Sequence, residues 1–455
     1  MNRHTPNSMT GPCLAVADFV LNSTSDDIPA AVRRKAALLL LDTLGICIAA
    51  TPMEAGVIAR QTAHLLYGGS GDYSARMLFD GRRASVAGAA FAAASEIDNL
   101  DGHDGYNPTK GHIGVVVTPT LAALAENAPD LSGPDALAAL VVGYEVAGRA
   151  GIALHASVND YHTSGAWNAL GVVAMGARLR RASAAQLREA LGIAEYHGPR
   201  SQMMREIANP TMLHDGSGMG ALVGLSAVVM AELGFTGAPA ITVEAAEAAP
   251  HWADLGNFWQ IEHQYVKPYP VCRWAHAAID GARELCLAHA ITHDRIAQIR
   301  IGSFNNAVQL FPSMPDTTSK AQYSLPFAVA NMIVHGRIGL EHISGASLAD
   351  PLIASVVAKT VMIENARHEA RFPAGRWADV EFTLTDGRVL SSGDVHARGG
   401  PERPFSDADI VAKYMEFAVP VIGQTRAHAI REAVLGLQKT DSRFSTVSAL
   451  LYDAP

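Results

Sequence analysis

Residues 96–119, EIDNLDGHDGYNPTKGHIGVVVTP, carry a dense group of side chains that could do acid–base chemistry. The group comprises Glu96, Asp98, Asp101, His103, Asp104, Lys110 and His112. Alanine-rich apolar sequence on both sides predicts two buried helices, and a packed core tolerates ionisable groups only when they are paired or hydrogen-bonded. We therefore expect this loop to present its side chains to a pocket. The alternative is a solvated loop that merely connects two helices.

Residues 160–165, DYHTSG, form a second group just before a predicted helix. Thr163 and Ser164 are natural N-cap residues, and the N-terminus of a helix favours anions. His162 beside them is a candidate for acid–base chemistry. The alternative is a histidine that lies on the surface of a loop.

Residues 197–220 form a third group, in which His197, Arg200, Arg205 and His214 accompany several glycines. Glycine lets the backbone approach a ligand closely. Arg200 and His214 are predicted to bind substrate. The alternative is that the glycines serve close packing between helices.

The fourth group is KPYPVCRWAH at residues 267–276. Its prolines fix the backbone, so Lys267, Arg273 and His276 are presented from a rigid segment. Structural turns seldom need three such side chains, and this group is therefore the most specific of the four. Cys272 is predicted to pack as a small hydrophobic residue, and the alternative is that it contacts substrate.

The composition limits the class of protein. A chain of 455 residues predicts two domains, and 49% hydrophobic with 17% charged residues predicts a large interior. A net charge of −9 without a Lys/Arg-rich stripe argues against nucleic-acid binding. Four cysteines without CxxC spacing favour a reducing cytoplasm. The N-terminus has no apolar signal region, and the apolar runs are too short to predict a membrane span.

The pattern of elements divides the chain. Helical periodicity runs through residue 235, and no strand is predicted before that point. After residue 265 the sequences RIAQIRIGSF and ADVEFTLTDGRVLSSGDV alternate as strands do, the second with an Asp386-Gly387 hairpin signal. VAKTVMIEN is a weaker strand, AQYSLPFAVANMIVHGRI is a buried helix, and residues 404–455 return to helix. An α+β part therefore lies between helical parts.

The ordered motifs resemble the MmgE/PrpD family over nearly the whole chain. They are the loop ending in GHIG with VVVTPTLAALAE behind it, YHTSG, ELGFTG, KPYPVCRWAH, LLDTLG and AQYSLPFAVA. The family includes 2-methylcitrate dehydratases, cis-aconitate decarboxylase and iminodisuccinate epimerase. The resemblance implies a mostly α fold, with an all-helical domain of residues 1–266 and 404–455 and a smaller α+β lid of residues 267–403. It also implies a homodimer whose site lies between the domains and contains no metal or other cofactor.

The resemblance also assigns the family's site positions. They fall on Asp98 or Asp101, His112, His162, Lys267 and His276. The usual Asp-x-Asp-Asp is stretched here to Asp98-Asn-Leu-Asp101, and Ile113 replaces the proline after the histidine.

Two further departures bear on the reaction. The lysine of the decarboxylating members is absent, since that neighbourhood reads Leu213-His214. Their lid tyrosine falls on Phe327, with Tyr323 nearby. These differences argue against itaconate-type decarboxylation and against identity with 2-methylcitrate dehydratase.

The shared chemistry of the family is removal of a proton α to a carboxylate, which needs a general base and stabilisation of negative charge. His112 and His162 are the predicted acid–base pair, one of them oriented by Asp98 or Asp101, while Lys267 and His276 act from the lid. The residues predicted to bind the carboxylate substrate are Arg273, His103, Thr163, Ser164, Arg200, His214 and Tyr323. Facing bases would give epimerisation and an acid at a hydroxyl would give dehydration, and the sequence leaves both open.

Two other classes of function stay open. A metal-dependent hydrolase could use the first group, although that group has no HxxxH or HExxH pairing. An inactive protein that binds polycarboxylates would explain the altered lysine and tyrosine positions. The predicted function is a cytoplasmic, cofactor-free, dehydratase-like lyase of di- or tricarboxylates.

Overall fold

The computed structural model describes residue 9 and residues 11–455. Its first part is dominated by helices, which are α1 (Gly11–Asn22), α2 (Ala30–Ala50), α3 (Glu54–Leu66), α4 (Val86–Leu100), α5 (Gly114–Ala125), α6 (Gly133–Ser157), α7 (Gly165–Leu179), α8 (Ala184–His197), α9 (Met204–Ala208), α10 (Ser217–Glu232) and α11 (Ile241–Glu244). Local signals start several of them. Ser85, Ser132 and Ser183 each accept the backbone N–H three residues on, which satisfies donors that a helix N-terminus leaves free.

Small residues let the central helices approach each other closely. A Cβ at Gly143 of α6 would lie 2.5 Å from the Met175 sulfur of α7, and one at Gly171 of α7 would lie 2.5 Å from the Gly143 carbonyl oxygen. Either substitution would therefore push α6 and α7 apart.

The prediction that no strand precedes residue 235 is wrong. Two strands, β1 (Ser74–Arg76) and β2 (Arg83–Ser85), form an antiparallel pair between α3 and α4. Each strand has three residues, which is too short for an alternating pattern to appear in the sequence.

The second part of the chain adds a four-stranded sheet. Its elements are α12 (His276–His289), β3 (Ile296–Ser303), α13 (Asn305–Val308), α14 (Thr318–Gln322), α15 (Leu325–His335), α16 (Leu340–Ile343), α17 (Pro351–Val357), β4 (Thr360–Glu364), α18 (Ala366–Glu369), β5 (Trp377–Leu384) and β6 (Val389–His396). The strand order is β4-β3-β5-β6, with β3 and β4 parallel and the other pairs antiparallel. The predicted hairpin is confirmed, because β5 and β6 are joined through Asp386 and Gly387, whose φ is 85°.

The chain then returns to the helical part. Helix α19 (Asp407–Leu435), which is broken at Gly423, packs along α2, and α20 (Phe444–Ser448) follows. Lys413 of α19 lies 2.7 Å from the Asp42 carboxylate of α2 and donates to the Gly102 carbonyl oxygen at 2.7 Å. This buried lysine therefore connects the loop after α4 to helices α2 and α19. The expected division at residues 266–267 and 403–404 remains a prediction.

Helix α6 is long and apolar enough to cross a membrane by length and composition. However, 94% of its apolar window is buried inside the protein. Helices α2 and α3 pass the same test only as a pair, and they are bent by 94°. Such burial is typical of a core helix.

Candidate active site

A narrow cavity of about 30 Å³ lies where the loop after α4 meets the segment before α12. We call it the central cavity. Five of the predicted site residues line it, namely Asp101, His112, Lys267, Arg273 and Tyr323. The other lining residues are Lys110, Tyr161, Met203, Ile207, Asp215, Tyr265, Cys272, Trp274 and Arg376. Four cationic side chains therefore face two carboxyl groups, which suits a polyanionic ligand.

A larger groove of about 530 Å³ lies beside α14 and α16. Its charged lining residues are Glu54 and Asp316, and the described lining includes neither lysine, arginine nor histidine. An anion would find no counter-charge there, so the central cavity is the better candidate for a carboxylate site.

His112 is held by one hydrogen bond of its ring and one of its backbone. Its Nδ1 lies 2.6 Å from the Asp104 carbonyl oxygen, and its backbone N–H donates to Ser164 Oγ at 3.0 Å. A carbonyl oxygen only accepts, so the hydrogen-bond network assigns the proton to Nδ1 and leaves the Nε2 lone pair free. Burial and the positive charge of Lys267 lower the pKa of His112 to about 3. The imidazole is therefore neutral at pH 7 and available as a base.

Lys267 is only 1% exposed and forms a buried ion pair with Asp101. Its Nζ also donates to the Asp101 carbonyl oxygen at 3.0 Å. Asp101 caps the C-terminus of α4 in a left-handed conformation with φ 55°, which turns its carboxylate towards the lysine. Burial raises the pKa of Asp101, and Lys267 partly offsets that effect.

Two buried guanidinium groups also line the cavity. Arg273 donates to the Arg398 carbonyl oxygen and, at 3.1 Å, to that of Ala397, while Arg376 donates to that of Pro373. The Nε atoms of Arg273 and Arg376 have no hydrogen-bond partner among the described residues. Burial lowers the pKa of Arg273 to about 10, so it keeps its charge at neutral pH. Free buried donors on two cations are what a carboxylate ligand would satisfy.

His276 is buried but does not line the cavity. Its Nε2 lies 3.0 Å from the Val271 carbonyl oxygen, which assigns the proton to Nε2, and its Nδ1 faces Arg273 Nη1 at 3.5 Å. Burial lowers the pKa of His276 well below its ordinary value. In this position His276 orients Arg273.

Four other predicted residues are buried but do not line the cavity. His103 packs edge-on against His112 with ring centroids 4.5 Å apart, and Asp98 accepts the Ser217 N–H at 3.1 Å. The His214 ring lies 5.6 Å from that of Tyr323. Ser164 Oγ donates to Asp215 Oδ1 at 2.6 Å.

Three predicted residues have other surroundings. The backbone N–H of His162 donates to His155 Nε2 at 3.2 Å, and His162 is half-buried outside the cavity lining. Its neighbour Tyr161 lines the cavity in its place. Arg200 is exposed, and Thr163 donates to the Pro199 carbonyl oxygen at 2.9 Å. The structure therefore does not bring His162, Arg200 or Thr163 into contact with the cavity.

Atoms of Asp101, His103 and His112 lie within 4.8 Å of one another and could hold a metal ion by distance alone. The ammonium of Lys267 already contacts the Asp101 carboxylate, and a divalent cation there would face direct repulsion from it. The arrangement therefore fits an ammonium–carboxylate pair better than a metal centre.

Sequence reasoning missed several residues of the cavity, above all Asp215, Arg376 and Lys110. Lys110 belonged to the first group, and Asp215 directly follows His214, so both lay within reach of the motif analysis. Arg376 directly precedes β5, and its 1% exposure is a property of the fold that its sequence neighbourhood does not show.

Comparison with known proteins matches the chain to two family models. Residues 15–249 match the MmgE/PrpD N-terminal domain model, and residues 269–439 match the MmgE/PrpD C-terminal domain model. Cis-aconitate decarboxylase from Homo sapiens is 24% identical in an alignment of length 427 that covers 88% of this chain and 86% of the relative. Cis-aconitate decarboxylase from Aspergillus terreus is 23% identical in an alignment of length 493 that covers 98% of this chain and 96% of the relative. Cis-aconitate decarboxylase from Mus musculus is 23% identical, and the alignment covers 84% of this chain and 81% of the relative.

Proposed function

The chain belongs to the MmgE/PrpD family, and we propose that it is a lyase that removes a proton α to a carboxylate of a small tricarboxylate or dicarboxylate, without a cofactor. One observation carries the proposal. A neutral histidine, His112, shares a narrow cavity with the cations Lys267, Arg273 and Arg376.

His112 is the base in this proposal. Its Nδ1–H is held by the Asp104 carbonyl oxygen, so its Nε2 can accept a proton without any rearrangement of the ring. The bound carboxylates would add negative charge beside the ring, and that charge raises the pKa of His112 in the complex. A base that is weak in the free enzyme would thereby become stronger when substrate is present.

The cations stabilise the charge that develops on the carboxylate after the proton leaves. Lys267 acts as a point charge, and Arg273 and Arg376 offer free Nε–H donors on buried guanidinium groups. Removal of one such contact typically raises the barrier by about 3 kcal/mol.

Dehydration is the reaction that the arrangement favours. Epimerisation needs a second base on the opposite face of the substrate, and His162, the predicted partner, lies outside the cavity lining. Dehydration needs one base and one acid. The protonatable carboxyl group of Asp215 lies next to His112 in the same cavity.

Decarboxylation is the second candidate, because the relatives named above are cis-aconitate decarboxylases. The sequence lacks the lysine expected near Leu213, whose side chain is exposed. However, Tyr323 and Lys110 line the cavity and supply a phenol and an ammonium group. Because these groups are present, the missing lysine and the replacement of the family's tyrosine by Phe327 argue less strongly against decarboxylation.

Proton NMR in D₂O tests both candidates on citrate, 2-methylcitrate, cis-aconitate and iminodisuccinate. We expect deuterium incorporation α to a carboxylate and interconversion of a hydroxy acid with its alkene by the wild type, and neither by His112→Gln. Release of CO₂ from cis-aconitate would select decarboxylation. Thermal stabilisation by these compounds without exchange or turnover would instead identify a binding protein and overturn the proposal.

A further inference from the structure

We propose that Asp215 is the acid that protonates the departing hydroxyl group, working beside His112 as the base. This inference rests on the proposed function. It assigns a second catalytic residue that the motif analysis did not select.

The position of Asp215 supports this role. Its side chain lines the central cavity and is 4% exposed. Its Oδ2 lies 3.7 Å from His112 Nε2, and its Oδ1 accepts the Ser164 hydroxyl at 2.6 Å. Ser164 also accepts the backbone N–H of His112. One serine therefore fixes the acid and the base relative to each other, and both face the same space.

Burial favours retention of a proton by Asp215, and it outweighs the hydrogen bond from Ser164 and the charge of Lys267, which lower the pKa of that carboxyl group. The ionisable groups that face it are Asp98, Asp101, Glu206, His112, His214 and Lys267. The hydroxyl and thiol groups of Tyr161, Tyr323 and Cys272 also lie near it. Lys110, Arg273 and Arg376 line the same cavity. Lys267 is the cation with a resolved effect on Asp215, and it is already paired with Asp101.

The imidazoles add no positive charge near Asp215. Burial lowers the pKa of His112 to about 3 and that of His214 to about 4, so both are neutral at pH 7. The carboxyl groups of Asp98 and Asp215 therefore repel each other in a buried setting. Burial and that repulsion raise the pKa of Asp98 well above its ordinary value, and burial raises the pKa of Asp215. Burial therefore favours the protonated form of Asp215, which is the form that an acid requires.

His112 and Asp215 together account for every proton that moves during dehydration. His112 Nε2 takes the α-proton as the C–H bond breaks, and the electron pair of that bond forms the alkene. The C–O bond breaks, its electron pair stays on the hydroxyl oxygen, and that oxygen takes the proton of Asp215 and leaves as water. An imidazolium and a carboxylate then face each other 3.7 Å apart. Transfer of the proton from Nε2 to Oδ2, directly after a small shift or through one water, restores both groups.

The test measures removal of the substrate's α-proton separately from removal of its hydroxyl group. Citrate and 2-methylcitrate require both steps, whereas tricarballylate has no hydroxyl group and reports α-proton exchange alone. Asp215→Asn keeps an acceptor for Ser164 but cannot donate an acidic proton. Asp215→Glu restores the acid. Asp316→Asn, an exposed aspartate paired with Lys320, is the matched control for the chemical change.

We expect Asp215→Asn to lower dehydration by about 10²–10⁴-fold, the usual contribution of a positioned acid, and to exchange tricarballylate protons at close to the wild-type rate. Asp215→Glu should recover part of the dehydration, and Asp316→Asn should change neither rate. His112→Gln should lose both reactions.

Two results would overturn the inference while the proposed function stands. One is dehydration by Asp215→Asn at the wild-type rate. The other is equal loss of tricarballylate exchange, which would show that Asp215 acts only by positioning His112. A wild-type enzyme that performs neither reaction on any of the substrates would instead overturn the proposed function.

Discussion

Lys267 of the segment before α12 forms a buried ion pair with Asp101 at the C-terminus of α4 and also donates to the carbonyl oxygen of that aspartate. The pair joins the α+β part of the chain to the helical part. The cavity beside it, at about 30 Å³, has room for one or two water molecules but not for a tricarboxylate. Substrate must therefore displace side chains when it binds, and its carboxylate would compete with Asp101 for the ammonium group of Lys267.

Replacement of Lys267 should separate stability from activity. Lys267→Met keeps the apolar stem but leaves the Asp101 carboxyl group buried and unpaired, so we expect a loss of about 3–5 kcal/mol in the free energy of unfolding. The double variant Lys267→Met/Asp101→Asn removes both charges and should recover most of that loss. Neither variant should exchange substrate protons. Urea denaturation and NMR exchange measure the two effects, and turnover by the double variant would remove Lys267 from the mechanism.

The two histidines predicted as an acid–base pair, His112 and His162, should differ in the effect of their substitution on α-proton exchange. His112→Gln should abolish α-proton exchange, because it removes the lone pair of Nε2 from the cavity. His162→Gln should retain most of the wild-type rate, because that side chain lies outside the cavity lining beside His155. Both variants should fold, as judged by circular dichroism. A large loss of exchange in His162→Gln would mean that the ring enters the site when substrate binds.

Tyr161 lines the cavity, whereas its neighbour His162, which the motif selected, does not. Residue 162 forms an isolated antiparallel bridge with Gln202, so the backbone is locally extended. Successive side chains of an extended backbone point in opposite directions. A motif identifies the segment that approaches the site, but a shift of one residue decides which side chain enters it.

Other parts of the site were predictable because their residues are close in the chain. The segment from Asp101 to His112 joins two apolar helices, and prolines present Lys267 and Arg273 from one rigid turn. Arg376, in contrast, reaches the cavity only through the packing of β5. That packing depends on contacts between distant segments, which the spacing of residues in the sequence does not contain.

Removal of metal ions should leave the activity unchanged. Asp101, His103 and His112 are close enough to share an ion, but the ammonium of Lys267 contacts the carboxylate that an ion would need. Exhaustive dialysis against a chelator, followed by the exchange assay, measures the effect. Loss of activity that zinc or manganese restores would reassign these three residues as ligands and would contradict the prediction.

Arg376 should contribute to substrate affinity. Its guanidinium is buried at 1% exposure and its Nε has no partner among the described residues. Arg376→Lys keeps a positive charge but loses the planar fork of donors, and we expect kcat/KM to fall by about 10–100-fold. Arg371→Lys is the matched control, because Arg371 is partly exposed, pairs with Asp394 and lies outside the cavity lining. Equal effects of the two substitutions would contradict a specific role for Arg376.

The pH dependence should distinguish this site from one that uses an unperturbed histidine. Burial and Lys267 disfavour the imidazolium and lower the pKa of His112 to about 3, so the basic form persists as the pH falls from 7 to 5. We therefore expect kcat/KM for α-proton exchange, which reports the free enzyme, to stay flat over that range after correction for ionisation of the substrate carboxyl groups. Bound carboxylates raise the pKa of His112, so kcat should begin to fall at a higher pH than kcat/KM does. A fall of kcat/KM below about pH 6.5, the ordinary pKa of histidine, would show that His112 is more solvated or less affected by Lys267 than its surroundings indicate.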